Sequence, residues 1–68
     1  MNETRVTGSL TARQWELIGY AVELRLMALE QRLRDGDHNA RHLAEEYAEL
    51  SRQTRRINAA IQRELAAA

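Results

Sequence analysis

Between Arg34 and Ala40 the chain reads RDGDHNA, the one clear interruption in a helical pattern that occupies most of the remainder. Before it, Trp15, Ile18, Val22, Leu26, Leu29 and Leu33 recur at steps of three and four residues. After it, Leu43, Tyr47, Leu50, Thr54, Ile57, Ile61 and Leu65 do the same. That spacing puts each set on one face of an α-helix. Proline is absent and glycine occurs only three times, so Asp35-Gly36-Asp37 is the segment best suited to ending a helix and turning the chain. Two amphipathic helices joined by so short a break must fold back on each other. The expected fold class is all-α, an antiparallel two-helix hairpin.

The start of the first helix carries its own signal. Thr11 followed by Gln14 fits a reciprocal capping box, and Leu10 before the cap is placed to pack back on Trp15 as a hydrophobic staple. The expected organisation is a flexible or extended segment over 1–10 and a helical hairpin over 11–68, with helix 12–34, turn 35–39 and helix 40–65. Asp37 or Asn39 is positioned to cap the second helix, and the terminal alanines are expected to fray. One antiparallel register pairs Leu33 with Leu43, Leu29 with Tyr47, Leu26 with Leu50, Val22 with Thr54 and Trp15 with Ile61. It also brings Gly19 and Ile18 near Ile57, where a glycine leaves room for the branched side chain. Thr54 in mid-seam is expected to bond the carbonyl four residues back or to mark register against Val22.

A chain of 68 residues buries only about 60% of the surface it exposes when unfolded. Cysteine is absent, which removes disulfides and thiolate metal sites as sources of stability. Self-association into a homodimeric four-helix bundle is therefore expected. The first helix supplies a reason of its own. Leu17, Tyr20, Leu24 and Met27, with Ala21 and Ala28, form a second apolar face, separated from the first by Glu16, Glu23, Glu30 and Arg34 on one side and by Gln14, Arg25 and Arg32 on the other. A lone hairpin hides only one of these faces. At about 25 cal/mol per Å2, covering the second is worth several kcal/mol, comparable with the whole stability of a small domain. Leu17, Tyr20, Leu24 and Met27 are thus the expected protein interface, filled by a second copy or by another protein or target helix.

The ten arginines balance ten acidic residues, and lysine is absent. Inside that neutral total, Arg52, Arg55, Arg56 and Arg63 cluster in the second helix, after Glu45, Glu46 and Glu49. They are read as a solvated face facing Glu16 and Glu23, as partner-orienting charges, or as an alternative nucleic-acid contact. A strand over Arg5 to Leu10 followed by two helices resembles, in order of elements, the ribbon-helix-helix family of dimeric DNA-binding regulators. That likeness implies paired N-terminal strands in the major groove, although the long first helix departs from the family's short one. In outline the hairpin is also similar to plasmid RNA-regulatory hairpin dimers. The alternative function is accordingly a dimeric nucleic-acid-binding regulator.

Asp35, Asp37 and Asn39 alternate, and Glu46 lies where the last ligand of an acidic calcium loop would be. The glycine such a loop needs at its sixth position is Ala40 here, so the acids read as turn and cap residues. His38 and His42, with Glu45 and Glu49, have helical metal-ligand spacing but belong equally to a polar helix start. No nucleophile, base and orienting group fall together. The expectation is a non-enzymatic module without cofactor or metal. No segment reads as a signal peptide or a membrane span, so a cytoplasmic location without membrane contact is expected. The functional expectation is a small protein-interaction module acting as a regulator, adaptor or inhibitor.

Overall fold

The computed structural model describes residues 3–68. Helix α1 spans Ala12–Arg34, a short 3-10 turn spans His38–Ala40, and helix α2 spans Arg41–Ala67. No strand occurs among the described residues, and Arg5 to Leu10 have no regular structure, so the ribbon-helix-helix element order is not present there. Of the N-terminal segment expected over 1–10, Met1 and Asn2 lie outside the described residues.

Both ends of α1 follow from local chemistry. Thr11 Oγ1 accepts from the Gln14 amide at 3.0 Å, and Gln14 Oε1 accepts from the Thr11 amide at 2.8 Å. Two amides without helical partners are thereby satisfied. At the other end Gly36 adopts φ +94°, a conformation that a Cβ disfavours. Its amide bonds the Leu33 carbonyl at 3.0 Å, and the Asp37 amide bonds the Arg32 carbonyl at 2.9 Å. These two bonds form a Schellman motif, which takes up the last free carbonyls and reverses the chain. Asp37 Oδ1 then accepts from the Asn39 amide at 3.1 Å, starting the 3-10 turn that feeds α2. That helix continues through Leu65 into the alanines that were expected to fray.

The helices pack along their length as an antiparallel hairpin. Near the turn, fully buried Leu29 forms the core with Ala40 and Ala44, and Leu33 and Tyr47 pack against it. Farther along, Val22, Ser51 and Thr54 are buried. Thr54 resolves its hydroxyl locally, donating to the Leu50 carbonyl at 2.7 Å. At the open end Asn58 Nδ2 donates to the Trp15 carbonyl at 3.3 Å.

The face of α2 that meets α1 differs from the one expected. Ala44, Tyr47, Ser51, Thr54 and Asn58 turn inward, while Leu43, Leu50 and Ile57 stay 37–42% exposed. Tyr47 and Thr54 belong to both faces, so the helix is rotated about its axis rather than slid along it. Leu33 therefore meets the alanines of the core cluster instead of relying on Leu43. Gly19 makes room for a different neighbour too: a Cβ on it would lie 3.2 Å from Asn58 Nδ2 and 3.5 Å from Thr54 Cγ2. Small side chains on both helices allow close approach, and that approach gives Ser51 and Arg55 access to Glu23. Large leucines in the seam would hold the helices farther apart.

Candidate interaction surface

The second apolar face of α1 emerges from the fold uncovered. Leu17, Tyr20, Leu24 and Met27 are 47–68% exposed. At about 100° per residue they stand on the side of α1 away from Val22 and Leu29, the buried residues that meet α2. The four therefore form one line along the outer edge of the hairpin. Tyr20 adds a phenol to a surface otherwise made of apolar and thioether groups, and a flexible Met side chain adapts readily to an apolar partner. The geometry suits helix-on-helix contact.

The arginines of α2 are not equivalent. Arg55 crosses to α1, its Nη2 lying 2.8 Å from Glu23 Oε1. The Ser51 hydroxyl donates to the same carboxylate. These two hydrogen bonds, Ser51 first and Arg55 second, hold the Glu23 carboxyl below the usual carboxylate range, with desolvation opposing them. Arg52 bonds Glu49 on its own helix through Nε at 3.1 Å and lowers that carboxyl's pKa in the same way. Arg56 and Arg63 form no ion pair among the described residues and remain open to solvent. The expected pairing across the hairpin is therefore carried by Arg55 and Glu23, while Glu16 pairs with Arg13 on α1 itself.

Glu23, Ser51, Arg55 and Asn58 also line an open groove of about 480 Å3 on one side of the hairpin, with Gly19 and Tyr20 at its wall. Its polar groups largely bond one another, and no buried side-chain nitrogen or oxygen is without a hydrogen-bond partner among the described residues. The groove thus serves chiefly as a polar clasp between helices. Gly19 and Ser51, both lining it, are small residues that let the two backbones approach there.

At the turn, Arg32 donates to Asp37 through Nε at 3.1 Å and Nη2 at 2.8 Å, and these bonds hold the Asp37 carboxyl below its ordinary pKa. Asp37 is committed to Arg32 and to the Asn39 amide, and Ala40 is buried in the core, so this segment is built as a hairpin turn. His42 Nε2 lies 3.5 Å from Glu46 Oε1, an ion pair when the imidazole is protonated. Among the described residues no group of three His, Asp or Glu side chains is placed to hold a metal ion, and no helix is long and apolar enough to cross a membrane.

Set beside known families, curated proteins and solved structures, the chain matches none of them. The functional reading therefore stands on the surface chemistry.

Proposed function

We propose that this chain is a small non-enzymatic protein-interaction module, a regulator, adaptor or inhibitor that acts in the cytoplasm by binding. The observation that carries the reading is the uncovered line of Leu17, Tyr20, Leu24 and Met27, since a contiguous apolar strip of this kind is costly in water unless something covers it. Two hairpins assemble as a homodimeric four-helix bundle, and the α1 stripe takes an apolar helix of another protein. Arginines of α2 orient that partner more than they add affinity. Nucleic-acid contact draws less support, because Arg55 and Arg52 are already bonded to Glu23 and Glu49, which leaves Arg56 and Arg63 as the open cations of the cluster.

Two measurements on the native chain and on Leu24→Asp test this proposal. Sedimentation equilibrium should give a dimer for both. Binding of an anilinonaphthalene sulfonate dye should light up the native dimer and fall at least severalfold in Leu24→Asp, with helicity unchanged. A dye-silent native dimer that Leu24→Asp dissociates would mean the stripe is consumed by the mate, and the reading as a surface for another protein would be lost. A native chain that stays monomeric to high concentration removes the bundle.

A further inference from the structure

In the groove beside Glu23 most donors are spent while acceptors are left open. Ser51 and Thr54, each only 3% exposed, line it. Ser51 donates to Glu23 and Thr54 to the Leu50 carbonyl, so each hydroxyl oxygen keeps capacity to accept. Asn58 uses Nδ2 on the Trp15 carbonyl, which leaves its Oδ1 to accept as well. The two carboxylates on the α1 side follow the same rule. Every bond to Glu23, from Ser51 Oγ and from Arg55 Nε and Nη2, falls on Oε1, and Arg13 holds Glu16 through Oε1. The Oε2 atom of each accepts no hydrogen bond among the described residues.

The charge has the same sense. Among the side chains lining the groove, the carboxylates of Glu16 and Glu23 stand against the single guanidinium of Arg55, so the recess is negative. Ser51 first and Arg55 second keep Glu23 ionised well below neutral pH. A recess with open acceptors and an excess of negative charge favours a cationic donor. Its position indicates where that donor comes from. Tyr20 is both a wall of the groove and a member of the exposed apolar stripe, and Glu16 and Glu23 stand four residues before it and three after it. Those steps put both carboxylates on the flank of the stripe. A helix resting on Leu17, Tyr20, Leu24 and Met27 therefore has one edge beside the groove, and the Tyr20 ring offers a π face to a cation entering it.

We infer that the partner helix seated on the α1 stripe carries a lysine or arginine on its edge, and that this side chain enters the groove past Tyr20 and donates to Glu23 Oε2. Glu16, on the other side of Tyr20, adds attraction. Arg55 and Ser51 hold the opposite oxygen of Glu23 and so fix the carboxylate for that contact. The inference rests on the reading of the stripe as a surface for another protein, and it divides the work between two features. The stripe supplies apolar area, and the groove selects, among apolar helices, those with a base at the right place.

The test uses the full chain and a phage-displayed library of helical peptides with one face and its edges randomised. Peptides that bind the native chain but not Leu24→Asp should share apolar residues at three and four residue steps and one lysine or arginine at a fixed place beside them. In the tightest of these, replacing the base by glutamine should weaken binding to the native chain at least about fivefold. On Glu23→Gln the two peptides should bind nearly alike, and on Glu16→Gln the gap between them should narrow. A clasp merely loosened by Glu23→Gln weakens both peptides equally and leaves the gap unchanged, so the cycle reads the contact itself. Binders without a fixed base, or a gap that is the same on the native, Glu16→Gln and Glu23→Gln chains, would overturn the inference while the stripe stands. A library that yields no binder dependent on Leu24 defeats the stripe and the inference together. Should Glu23→Gln lose helicity, the cycle with Glu16→Gln decides alone, since Glu16 takes no part in the clasp.

Discussion

Gly36 shows how one residue sets the path of the whole chain. Its φ of +94° is strained for any side chain with a Cβ, so Gly36→Ala should cost about 1–2 kcal/mol, read as a lower midpoint in denaturant with an unchanged slope. Glu23 links a residue to pH. Its folded pKa is depressed by Ser51 and Arg55, so its contribution is present above the ordinary carboxylate value and is lost as pH falls through the depressed one. Asp37 and Glu49 have the same sign. Thermal melts should therefore be flat from neutral pH to about pH 5 and decline below it. Glu23→Gln should flatten part of that decline and be less stable at pH 7. An acid limb identical in Glu23→Gln would show that the cross-helix clasp contributes nothing in solution.

The helices depend on their seam to different degrees. Among the described residues Leu29 is the one large side chain that is fully buried, and Leu29→Ala should cost about 2–5 kcal/mol. For so small a fold that is enough to abolish a cooperative melt. Gly19 sits inside α1, where alanine is the better helix former by about 1 kcal/mol. The nearest obstacle to its Cβ is the end of the Asn58 side chain, whose bond to Trp15 is long. Gly19→Ala should therefore stabilise by somewhat less than that 1 kcal/mol, whereas Gly19→Leu should lower the melting temperature by wedging the helices apart. At this scale most of the α1 seam was legible in the sequence, because Val22 and Leu29 are large apolar residues that face α2, although Ile18 is 36% exposed. On α2 the seam was less so. Size alone selected Leu43, Leu50 and Ile57, and the packing instead used Ala44, Ser51 and Asn58, because Gly19 and Glu23 across the seam favour small and polar neighbours.

At the scale of the molecule, the layer is open on both sides, so stability should depend on concentration if the proposed dimer forms. The melting temperature of the native chain should rise by about a few degrees per tenfold increase in concentration. A concentration-independent melt in the native chain would mean the hairpin stands alone. The outer stripe of α1 was legible in the residue pattern, since two apolar faces on one helix exceed what a single partner helix can cover. The lesser exposure of Leu43, Leu50 and Ile57 on α2 was not, because it follows from the rotation of that helix against α1.

The sequence by itself determined the helical class, the capping of α1 at Thr11, the reversal at Gly36 and the outward stripe. Each depends on residues close together in the chain, through backbone conformation, hydrogen bonds to near neighbours or helical periodicity. Only the tertiary structure decided which side of α2 meets α1 and which arginine reaches Glu23. Those outcomes compare packing of large apolar side chains against close approach of small ones with a polar clasp, a balance between groups far apart in sequence that periodicity does not encode.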